Sequence, residues 1–165
     1  MNAAVSSVTP SVEEYLDLGL RDQWHPVLAS WEVAANPVGI TRLGENIVVW
    51  RDDKGQVHAL EDRCPHRGAR LSLGWNLGNR VACWYHGVEV RADGVVADVP
   101  AVHECPMTGT KCLKSYPVSE QHGAIFIWFG IDVNEQPKLL EFPEQLASEE
   151  WSAFLCQADW KVNHQ

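Results

Sequence analysis

Two short clusters hold the residues of this 165-residue chain best suited to chemistry: Cys64-Pro65-His66 and Cys83-Trp84-Tyr85-His86. Each offers one thiolate and one imidazole. Two loops of that mixed kind, set side by side, can give two sulfurs to one iron of a two-iron centre and two ring nitrogens to the other. The rival is a zinc site built from the same four side chains, in which the protein would be a metal-stabilised interaction module. Zinc sites usually pair like with like, Cys-x-x-Cys on one turn and two histidines on a helix. Here each cluster carries one of each.

Two loops can be held together only by a stiff frame. Apolar alternation bounded by turn residues predicts strands at 26–30, 38–43, 47–50, 56–60, 80–83, 88–91, 95–98, 116–120 and 124–129. Asp52-Asp53-Lys54-Gly55 reads as a hairpin turn, and 92–94 and 121–123, each ending in glycine, separate later strands. Many short strands at this spacing predict a mainly β fold, an antiparallel sandwich or small barrel with the two cluster loops at one tip. Ser11 and Glu14 form a capping-box pattern, which predicts a short helix ending near Gly19. The expected organisation is a tail and helix over 1–20, a β domain over 21–130 and a Pro-, Glu- and Gln-rich connector over 131–165.

Composition narrows the function classes. A formal charge of -9 without a Lys/Arg run argues against a nucleic-acid surface. The longest apolar run, 124–131, is interrupted by Gly130 and is far too short to cross a bilayer. Five cysteines without a cationic, apolar leader suggest a reducing cytoplasm rather than a secreted disulfide scaffold. Cys105, Cys112 and Cys156 stand outside the ligand set and read as small buried or loop thiols.

The strings Cys-Pro-His-Arg-Gly-Ala-Arg-Leu-Ser over 64–72 and Cys-Trp-Tyr-His-Gly over 83–87 resemble the Rieske motif of the aromatic ring-hydroxylating, non-haem iron oxygenases. The resemblance runs from about Trp24 to Trp160, through residues 114–118 (Lys-Ser-Tyr-Pro-Val) and 123–130 (Gly-Ala-Ile-Phe-Ile-Trp-Phe-Gly). It implies an α subunit whose N-terminal domain binds a Rieske [2Fe-2S] cluster through Cys64, His66, Cys83 and His86. A mononuclear non-haem Fe(II) would belong to a catalytic domain that opens near Trp160-Lys161. The implied partners are a ferredoxin or an NAD(P)H-dependent reductase, an aromatic small-molecule substrate, and two further α subunits in a homotrimer. A standalone Rieske ferredoxin is the alternative, although it has no need of the N-terminal helix or of the extension through Trp160.

The resemblance also assigns roles around the ligands. Gly68 and Gly87 are expected where the backbone passes close to the cluster or takes a positive φ. Pro100 would shield the cluster, Arg67 would balance its charge or reach a neighbouring subunit, and Trp84 lies between two ligands. High-potential members carry two disulfide-forming cysteines and a serine where this chain has Ala69, Tyr85 and Val88. Fewer donors to sulfur imply a potential near the low end of the Rieske range, about -150 mV.

Overall fold

The computed structural model describes residues 19–102, 104–130 and 141. The helix expected before Gly19 and nearly all of the connector lie outside the described residues. Within them the strands are β1 (Trp24–Ala29), β2 (Val38–Arg42), β3 (Glu45–Arg51), β4 (Val57–Glu61), β5 (Trp75–Asn76), β6 (Arg80–Ala82), β7 (Glu89–Arg91), β8 (Val96–Asp98), β9 (Ser115–Tyr116), β10 (Val118–Gln121) and β11 (Ala124–Trp128). Single 3-10 turns cover Ser30–Glu32 and Leu71–Leu73. The strands form three antiparallel sheets, β1-β11-β10, β2-β3-β4-β9 and β5-β6-β7-β8.

The second sheet is shared by two cores. Successive side chains of a strand point to opposite faces, and β3 uses both. Ile47 and Val49 enter one core with Val27, Ile125, Ile127 and Phe129. Val48 and Trp50 enter the other with Val81, Val90 and Val96. A strand buried on both faces reads as an unbroken apolar run rather than an alternation, which accounts for Ile-Val-Val-Trp at 47–50. The Trp50 indole N–H donates to the Gly78 carbonyl at 3.0 Å, so its burial leaves no polar group unsatisfied.

The 52–55 hairpin forms as expected, with the Asp52 carboxylate accepting from the Lys54 and Gln56 N–H groups at 2.9 and 2.8 Å. The strand expected over 116–120 is instead two strands. Pro117 cannot donate to a ladder, and there the chain changes sheets: Tyr116 pairs with Ala59 of β4, while Val118 pairs with Ile127 of β11. A second proline, Pro26, sits next to a register irregularity in β1, where such residues are tolerated. β5 and the 3-10 turns are too short to give a periodic signal, and the sequence did not announce them.

Candidate metal centre

The two clusters occupy turns from different sheets. The first connects β4 of the central sheet to β5 of the third, and the second joins β6 to β7. Their backbones are nevertheless hydrogen-bonded alike. The Cys64 N–H donates to the Ala69 carbonyl at 2.7 Å and the Gly68 N–H to the Cys64 carbonyl at 2.8 Å. In the second turn Cys83 donates to Val88 at 2.8 Å and Gly87 to Cys83 at 2.9 Å. Gly68 and Gly87 both have a φ of +71°, a region that side chains disfavour. The histidines fall at different offsets in this common frame, two residues after Cys64 and three after Cys83.

The frame segregates the donors. Cys64 and Cys83 are both buried, unbridged and in contact through their thiols. Burial pushes the Cys64 thiol above its ordinary range and the adjacent Cys83 pushes it further, while the His66 and Arg67 N–H groups, bonded to Cys64, pull the other way. Backbone N–H groups aimed at a buried sulfur stabilise a thiolate, the form a metal needs. On the outer side the His66 and His86 rings lie 4.8 Å apart, centroid to centroid. Among the described residues, no three His, Cys, Asp or Glu side chains converge as a single-ion site requires. A sulfur pair below an imidazole pair suits two irons with different ligands, and the residues fit a [2Fe-2S] cluster.

The other expected positions gather here as well. Pro100 lies over the second turn, its Cγ 3.5 Å from where a Cβ on Gly87 would stand. Trp84 and Tyr85 are half-exposed. Tyr85 stacks on His86 with centroids 3.8 Å apart and planes 29° apart, and Trp84 stacks on Tyr85 at 5.5 Å. Arg67 is exposed. The leftover thiols Cys105 and Cys112 pack beside the site-side core, and Cys156 lies outside the described residues. His25 bonds to the Leu20 carbonyl and His58 to Asp52, in keeping with structural roles.

Several neighbours take roles that the sequence pattern does not assign them. Tyr85 held a signal only in its position, one residue before a ligand. Met107, Cys112 and Leu113 line a groove of about 420 Å³ against Pro65, His66 and Arg67, reached from a distant loop that carries no motif. Arg63 and Arg70, which flank the first turn, could have been found as a local excess of positive charge.

The comparisons with known proteins agree with this geometry. The chain is 36% identical over 132 residues to the vanillate O-demethylase oxygenase subunit of Pseudomonas sp. (strain HR199 / DSM 7063), covering 80% of this chain and 36% of that protein. It is 33% identical over 158 residues to the terminal oxygenase component of carbazole 1,9a-dioxygenase from Metapseudomonas resinovorans, covering 90% of this chain and 41% of that one. The structure of a reduced complex between oxygenase and ferredoxin in carbazole 1,9a-dioxygenase matches with a TM-score of 0.64 at 38% identity, covering 70% of this chain and 30% of that one. The chain thus spans well under half the length of these relatives. The Rieske [2Fe-2S] domain model matches residues 23–117, which hold both turns, the second and third sheets and β1 of the first. By motif, fold and sequence likeness together, the chain belongs to the Rieske [2Fe-2S] domain family.

Proposed function

We propose that this chain is the electron-transfer domain of an aromatic ring-hydroxylating oxygenase, with Cys64 and Cys83 binding one iron and His66 and His86 the other. The observation that carries the assignment is the separation of a buried thiol pair from a more exposed imidazole pair on two turns of like backbone. The cluster, when bound, supplies a one-electron carrier. The residues do the rest. Burial in the site-side core holds both sulfurs out of water, amides of the first turn donate to Cys64, and the imidazoles form the outward edge where an electron can enter or leave. The ring nitrogens of His66 and His86 not used for iron can bond outward and couple electron arrival to protonation.

The relatives are oxygenase subunits, and the likeness to carbazole dioxygenase extends over 158 residues. That length favours an oxygenase over a standalone Rieske ferredoxin. In this reading a ferredoxin or an NAD(P)H-dependent reductase supplies electrons. They pass through His86 to a mononuclear non-haem Fe(II), which activates O2 on an aromatic substrate in a cytoplasmic homotrimer. That iron needs two histidines and a carboxylate.

Two measurements test the proposal. Purified protein is expected to be red-brown and to give a Rieske-type EPR signal on reduction; a colourless zinc protein would overturn the cluster assignment. The encoding reading frame, followed past codon 165, is expected to contain Asp/Glu-x-x-His-x(4–5)-His. A frame that closes without that pattern would favour the standalone carrier.

A further inference from the structure

Three arginines bracket the first ligand turn: Arg63 just before Cys64, Arg67 just after His66, and Arg70 two residues past Gly68. All three are exposed. Residues 63–70 contain no acid, in a chain whose formal charge is -9. Among the described residues the ion pairs use other arginines, Arg21, Arg51, Arg80 and Arg91. The bond recorded for Arg70 is a long one, 3.5 Å, to the Asn46 side-chain oxygen.

The nearby acids do not cancel this charge. Arg63 lines two grooves, one with Arg70 and Lys114, the other with His66 and Arg67. Glu45 in the first groove is taken by Arg21, Lys114 and Tyr116. Asp62 is buried and accepts from the Ser72 N–H at 2.8 Å and its hydroxyl at 2.6 Å. Glu61 remains as the one other carboxylate shared by the two grooves. Three like charges this close in sequence repel within the screening length of about 8 Å at physiological salt. Folding gains nothing visible from them.

The two histidines have different neighbours. Beside His86 stand the half-exposed aromatics Trp84 and Tyr85. Beside His66 stands the arginine cluster. A compact patch of three arginines steers an incoming acidic protein to its own face. With a sequence pI near 5.1, the chain lacks the strongly basic balance of a nucleic-acid binder.

We propose that Arg63, Arg67 and Arg70 form the docking surface for an acidic electron-carrier protein, which delivers its electron at His66. The proposal rests on the cluster assignment above. The carrier is oxidised by one electron and the histidine-bound iron is reduced by one, with no bond made or broken.

The test is stopped-flow reduction of the cluster-loaded 165-residue chain by an acidic, photoreduced plant-type [2Fe-2S] ferredoxin, whose potential of about -400 mV makes the transfer downhill. The second-order rate is expected to fall about tenfold or more between low and high salt. In R63E/R70E the low-salt rate is expected to drop by a similar factor and to lose most of its salt dependence. The uncharged 5-deazariboflavin radical should reduce both proteins equally, and their EPR signals should coincide. If charge reversal empties the site, R63Q/R70Q replaces it, with a smaller loss in the same direction. Normal EPR with rates indifferent to salt and substitution would overturn the docking surface. A wild-type protein without a Rieske signal would instead overturn the assignment beneath it.

Discussion

Gly68 and Gly87 are equivalent residues of two turns, each at a φ of +71° and each donating its N–H to the carbonyl of the cysteine four residues earlier. A side chain at such a φ costs about 1–2 kcal/mol. At Gly87 a Cβ would also touch Pro100. Gly87→Ala is expected to weaken cluster retention, measured as faster loss of iron to a chelator from the purified protein, and to lower stability by about 1–2 kcal/mol in urea. Unchanged retention would show that the turn tolerates the strain.

The four proposed ligands should behave as a unit. Cys64→Ala, His66→Ala, Cys83→Ala and His86→Ala each leave an iron with an open position, and metal binding is coupled to ordering of the turns. Iron content is expected to fall from about two per chain toward zero in every variant. A full, spectroscopically normal cluster in any one of them would remove that residue from the set.

Val88 sets a limit on tuning the potential. It is fully buried in the site-side core with Cys64 and Cys83. Protein-film voltammetry of the wild type is expected to give a midpoint around -150 mV. Val88→Ser should raise the midpoint by offering sulfur a donor, while costing roughly 1–3 kcal/mol for a hydroxyl placed in an apolar site. A wild-type value well above +100 mV would mean that backbone donors outweigh the missing side chains.

Glu45 ties the start of β3 to β9. Burial alone would raise its carboxyl, but hydrogen bonds from Lys114, Tyr116 and Arg21 outweigh it and hold the group below the ordinary carboxylate range. A lowered folded pKa means stability that is fully present above the unfolded value and lost as pH falls through the folded one. Glu45→Gln is therefore expected to cost about 1–3 kcal/mol at pH 7. Urea titrations should show that gap closing as pH falls through and below the ordinary carboxylate range, where the wild type becomes protonated. A gap that persists in acid would mean that shape, not charge, holds these residues.

The ligand turns and most strands were legible because their causes are local. A thiol and an imidazole in each cluster announce chemistry, and Ile47 to Trp50 announce a buried strand. Pro117 was also in plain view, yet a proline tells only that a ladder bond is missing, not that the next residue joins another sheet. The place of Met107, Cys112 and Leu113 in the groove was not legible for a related reason. Their place depends on which loop the packed sheets bring to the site, and no pattern along the chain encodes that. The stacking of Tyr85 on His86 follows from the turn, whose full shape exists only when folded.

The arrangement of β3 has a consequence for how the molecule comes apart. Val48 and Val49 are neighbours in sequence but belong to opposite cores. Peeling the cluster-bearing sheet away would expose Val48 and Trp50 to water, and loosening the other layer would expose Ile47 and Val49. Neither layer can melt without stripping one face of the same strand. The domain is thereby built to open all at once rather than layer by layer, with the amides of 47–50 among the last to exchange with solvent.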